Sequence, residues 1–126
     1  MIREPQVFRE LFRGQWGRSD FKKLHVLQDS QTLTDLWTKS LGNSRSIPEV
    51  DFSKETVVVV TAFGELSRPV RVRITDIIRE STLNRVRVQV QHPGELAFGI
   101  SSTPFVDVVA VPKTQLPMIV EFTHMY

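Results

Sequence analysis

Residues 70–75 and 84–91 alternate. Val70, Val72 and Ile74 are interleaved with Arg71, Arg73 and Thr75, and Val86, Val88 and Val90 with Arg85, Arg87, Gln89 and Gln91. Successive side chains of an extended chain point to opposite faces, so this period of two predicts two strands, each with one apolar and one wet face. The polar segment 80–84 between them predicts a turn. The pair then forms a hairpin whose valines cover a core and whose arginines mark the outside. Residues 56–61, Thr-Val-Val-Val-Val-Thr, lack the alternation. Unbroken β-branched apolarity predicts a strand in the middle of the fold, covered from both sides.

The period changes at Leu33, Leu36, Trp37 and Leu41, whose spacing predicts one helix over 30–41. Asp29 or Ser30 can cap its first turn, Lys39 suits the negative end of its dipole, and Gly42 suits a left-handed terminating residue. Shorter apolar runs predict strands at 6–14, 22–28, 105–111 and 117–123, the first two separated by a turn at 14–20. The count is about seven strands and one helix. This pattern predicts a mainly β domain, a β-sandwich or partly open barrel, with the helix packed over one end or face. The expected core comprises Leu33, Leu36 and Trp37 of the helix, Val57, Val58 and Val59 of the central strand, and Val72, Ile74, Val86 and Val88 of the hairpin. Val108, Val109 and Ile119 complete it from the last two strands.

At 126 residues, 40% hydrophobic and 24% charged, the chain is long enough to bury one core, and residues 1–126 read as a single domain. The absence of cysteine excludes disulfides, thiolate nucleophiles and cysteine-ligated zinc. The charged N-terminal segment has no signal-peptide core, and no window approaches the roughly 20 apolar residues of a membrane-spanning helix. A complete chain would be cytoplasmic, and one trimmed of a leader extracytoplasmic.

Sixteen Lys and Arg against fourteen Asp and Glu give a net charge of +2, and the pI of about 9.3 overstates that small excess. What matters is where the arginines sit. Arg71, Arg73, Arg85 and Arg87 fall on one face of the predicted hairpin, a candidate patch for a carboxylate-rich protein surface or a nucleic-acid backbone. The plainer reading is a solvated face whose charges keep sheets from sticking together. Trp16, between two glycines and beside Arg18, is a candidate aromatic anchor in a turn, or else folds back over an open sheet end. The loop 92–103 is long for a hairpin connection and carries Leu96 and Phe98, which either bind a partner or extend a strand. His25, His92 and His124 sit on separate elements with no metal-ligand spacing. Ser101 and Ser102 lack a nucleophile-elbow context, and Gly94 and Gly99 form no phosphate cradle. No catalytic residue, metal or cofactor is expected.

The run 50–60, Val-Asp-Phe-Ser-Lys-Glu-Thr-Val-Val-Val-Val, together with Gly64, the arginine hairpin, Pro93-Gly94, the run 102–113 and Val120-Glu-Phe122, resembles the C-terminal domain of the PrcB family. Gly14, Trp16-Gly17, the run 24–28 and the segment from Leu33 to Trp37 are similar to it as well. The family comprises subunits associated with a secreted protease complex. The resemblance implies a mainly β domain with one helix, extracytoplasmic in many members, that stabilises or assembles a protease and has no established catalytic residues. One departure stands at 64–69, Gly-Glu-Leu-Ser-Arg-Pro, where family members carry a glycine-rich, tyrosine-containing turn. The expectation is a non-enzymatic binding or assembly domain whose partner is a protease or envelope protein. The alternatives are a nucleic-acid-binding accessory protein and a small protease inhibitor presenting the loops 64–69 and 92–103. A homodimer through a strand edge is a further expectation.

Overall fold

The computed structural model describes residues 3–15, 23–41, 46–62, 70–92 and 105–126. Along the chain these form β1 (Arg3–Pro5), β2 (Arg9–Gln15), β3 (Leu24–Leu27), α1 (Ser30–Leu41), β4 (Glu55–Thr61), β5 (Arg71–Glu80), β6 (Asn84–Gln91), β7 (Phe105–Pro112) and β8 (Met118–Met125). The strands make two four-stranded sheets, ordered β1-β5-β6-β8 and β2-β7-β4-β3. Neither sheet closes into a barrel, so the fold is mainly β and sandwich-like with a single helix.

The central strands behave as their composition requires. Val58 and Val60 of β4 and Val109 and Val111 of β7 face the first sheet, where they meet Val72, Ile74, Ile77, Val86, Val88 and Val90. Their alternates, Val57, Val59, Val106 and Val108, face the other way and pack against Leu33, Leu36 and Trp37 of α1. Because the helix covers the outer face of the second sheet, the molecule has three layers: sheet, sheet, helix. That arrangement explains why β4 and β7 are apolar on both faces while β5 and β6 alternate. Phe12 of β2 meets Trp37 edge-on, with ring centroids 5.7 Å apart.

The helix runs over the predicted residues and is capped by Asp29, whose Oδ1 accepts the Thr32 backbone N–H at 2.8 Å. The same oxygen accepts the Thr32 hydroxyl, and these two bonds hold the Asp29 carboxyl below the usual carboxylate range. Gly42 lies outside the described residues.

Three expectations are corrected. β1 was not anticipated, since Arg3, Glu4 and Pro5 are all exposed and carry no apolar alternation. β5 continues beyond Thr75 to Glu80, through a bulge between Ile74 and Asp76 that reverses the phase of its side chains. Before the bulge Val72 and Ile74 point inward, and after it Ile77 does. Ile119, expected in the core, is 39% exposed. It shares the outer face of β8 with Glu121 and Thr123, while Met118, Val120 and Phe122 pack inward. β8 lies parallel to β6, because the chain crosses from one sheet to the other between β7 and β8.

Candidate functional site

All four hairpin arginines project from the outer face of the first sheet, but they do not form one patch. In the β5-β6 register Arg71 is opposite Gln91 and Arg73 opposite Gln89, whereas beyond the bulge Arg87 is opposite Asp76 and Arg85 opposite Ile78. The bulge therefore divides the face. On the far side carboxylates come within reach: Arg85 Nε donates to Glu80 Oε2 at 2.7 Å and Nη1 to Glu121 Oε2. Arg87 stands 3.8 Å from Asp76 and 3.7 Å from Glu121. Hydrogen bonds from Arg85 hold the Glu80 carboxyl below its ordinary range, and Glu80 and Glu121 raise Arg85 above its own. These two arginines complete an internal charge network.

On the near side the environment differs. Arg73 has no carboxylate at ion-pairing distance among the described residues, and the Arg71 guanidinium lies over the Phe105 ring, 5.7 Å from its centroid. Together with Arg13 of β2 they line a groove of about 360 Å³. Gln89 and Gln91 add amides to its wall, and Phe105 adds an apolar patch. Arg13 is held loosely by Glu10 at 3.5 Å and is half exposed. Gly14 lines the same groove, and a Cβ there would meet the Phe12 ring at 3.2 Å, so a side chain at this position would crowd its neighbour. Among the described lining residues there are three guanidinium groups and no carboxylate.

The groove exists because β1 pairs with β5 only from Ile78 to Glu80 and leaves the first half of β5 uncovered by any described strand. One backbone group on that side is claimed from the opposite sheet: Asp107 of β7 accepts the Ile74 N–H at 2.7 Å. N–H and C=O directions alternate along a strand, so Val72, itself a lining residue of the groove, directs its own pair to the same side as Ile74, away from β6.

Asp107 is fully buried, and its second oxygen has no hydrogen-bond partner among the described residues. Burial pushes its carboxyl up to about 7, against the lowering effect of the Ile74 N–H. The nearby Glu10 carboxylate, which repels an ionised Asp107 and can accept from a protonated one, raises it further, while Arg13 lowers it. A titratable group thus ties β7 of one sheet to β5 of the other.

The histidines are not all separate. His92 Nε2 and His124 Nδ1 lie 2.7 Å apart, and His92 stacks on Tyr126 with ring centroids 4.3 Å apart. The parallel β6-β8 register sets Val90 beside His124 and so brings His92 to it, a contact across 32 positions that no local spacing signals. Among the described residues no group of three or more His, Asp or Glu is placed to hold a metal. Trp16, Leu96 and Phe98 lie outside the described residues, as do the loop 64–69 and nearly all of 92–103. Sequence reasoning missed Arg13, Phe105, Asp107 and the two glutamines. Arg13 and Phe105 belong to strands brought together only by the β2-β7 pairing, but Asp107, a lone acid inside an apolar strand, was visible as an anomaly.

No helix among the described residues is long and apolar enough to cross a membrane. No family model, curated protein or solved structure matches the chain.

Proposed function

We propose that this chain is a non-enzymatic protein-binding or assembly domain that takes an extended, carboxylate-bearing segment of a partner protein into the groove between β2 and β5. The observation that supports the reading is the unequal pairing of the four hairpin arginines. Arg85 and Arg87 already meet Glu80, Asp76 and Glu121, whereas Arg71 and Arg73 face the groove beside Arg13. A guanidinium offers a planar fork of donors that matches a carboxylate, and stacking on Phe105 orients one of them. The glutamine amides can hydrogen-bond an extended main chain, the kind of contact that holds an added segment beside a sheet. By its resemblance to the PrcB family, a protease or envelope protein is the first partner class to try.

Two double variants and one acidic probe test this. A glutamate-rich peptide is offered to the wild-type protein, to R71Q/R73Q and to R85Q/R87Q, with folding checked by circular dichroism. The expected result is retention by the wild type and by R85Q/R87Q and loss in R71Q/R73Q. Undiminished retention by R71Q/R73Q removes the groove as the site. A single-stranded oligonucleotide separates the nucleic-acid alternative. Three arginines predict a log-log salt slope of about −2 on a single strand, so a markedly steeper slope would point to a wider basic surface and a phosphate ligand.

A further inference from the structure

We infer that the outer edge of β8 is a self-association surface, at which a second copy of this chain adds antiparallel about a two-fold axis through Phe122. This outer edge of β8 faces away from β6 and from the groove that β6 helps to line with Gln89 and Gln91.

The backbone sets the first condition. Asn84 donates its N–H to the Pro117 carbonyl and His92 to the Met125 carbonyl, both at 2.8 Å, so the odd-numbered groups of β8 turn toward β6. Alternation then turns the N–H and C=O of Met118, Val120, Phe122 and His124 to the other side, where no described strand lies. Eight residues is long for an exposed edge, and the strand itself carries none of the usual protective residues. β8 contains no proline, lysine or inward-pointing carboxylate. Its one acid, Glu121, is neutralised by Arg85 and, at 3.7 Å, by Arg87.

Side chains fix the occupant and the register. Ile119 and Met125 are 39% and 41% exposed on the outer face of this same strand, on either side of its middle. An antiparallel pairing centred on Phe122 places Ile119 of each copy opposite Met125 of the other, so both apolar side chains are covered twice over by the same operation. It places Glu121 opposite Thr123, and it sets the outward backbone groups of Val120 against those of His124. Centring on Glu121 instead would set the two Glu121 carboxylates directly opposite each other and put Thr123, not Met125, opposite Ile119. Self-complementarity of this kind is what a two-fold interface requires, and it is why a second copy is the occupant.

Sedimentation equilibrium across roughly 1 μM to 1 mM protein, the range in which weak associations resolve, tests the inference. The wild type is expected to pass from monomer to dimer. I119E/M125E, which sets like charges opposite each other in this register, is expected to stay monomeric with an unchanged circular dichroism spectrum. I119K/M125E sets opposite charges across the axis and is expected to regain the dimer at low salt. A wild type that stays monomeric throughout, a dimer that persists in I119E/M125E, or no recovery in I119K/M125E overturns the proposal. Where a variant fails to fold, amide exchange in the wild type decides. Protection at Val120, Phe122 and His124 that rises with concentration supports the edge, and concentration-independent exchange at all three overturns it.

Discussion

Asp107 sits where the alternation of β7 would place another valine, and burial without full hydrogen bonding raises its carboxyl to about 7. Because the folded group holds its proton more tightly than the unfolded chain does, its contribution is fully present below the ordinary aspartate range near 4. That contribution is lost as pH rises through about 7. The wild type is therefore expected to lose stability between pH 5 and 8 relative to Asp107→Asn, by at most a few kcal/mol, since asparagine keeps an acceptor for the Ile74 N–H without a charge. Urea unfolding at both pH values checks this, and parallel pH profiles for the two proteins would contradict it. The arginines divide in the same residue-by-residue way. R85E/R87E brings like charges against Glu80 and Glu121 and is expected to lower the melting temperature, whereas R71E/R73E leaves it nearly unchanged because no carboxylate network depends on that pair. Equal melting shifts in the two variants would show that the division of the face is wrong.

Among the elements, α1 and β4 depend on each other. Trp37, Leu33 and Leu36 cover Val57, Val59, Val106 and Val108, so the outer face of the second sheet would meet water without the helix. Truncating Trp37 to alanine is expected to cost about 3–5 kcal/mol in chemical denaturation, the range found for large aromatic residues in cores. A cost below about 1 kcal/mol would mean the helix is not the cover. These elements were legible in the sequence because each has one dominant period: 3.6 with a capping aspartate in α1, two in β6, and none in the doubly covered β4. Legibility ends where pairing is non-local. The bulge that splits the arginine face puts one extra residue at Thr75, and Arg71-Val-Arg-Ile-Thr-Asp-Ile continues without any glycine to announce the phase change. Ile119 was readable in principle, since it is in step with Glu121 and Thr123 and out of step with Val120 and Phe122. The His92 and His124 contact and the groove both depend on strands paired across long stretches of chain, which periodicity cannot supply.

For the whole molecule, a net charge of +2 says little, because charges are paired locally on one part of the hairpin face and unbalanced on another. The bulge in β5 separates the two regions, and the short pairing of β1 leaves the arginine-bearing half of β5 open beside β2. Shape and charge thus coincide at one groove, with Arg13 reaching it from one sheet and Arg71 and Arg73 from the other. The most direct test is an NMR titration of the wild-type protein with a glutamate-rich peptide, read at the arginine Nε–H resonances. The account predicts saturable shifts at Arg13, Arg71 and Arg73 with Arg85 and Arg87 unmoved. Shifts at Arg85 and Arg87 instead, or none at the groove arginines at saturating peptide, would contradict it.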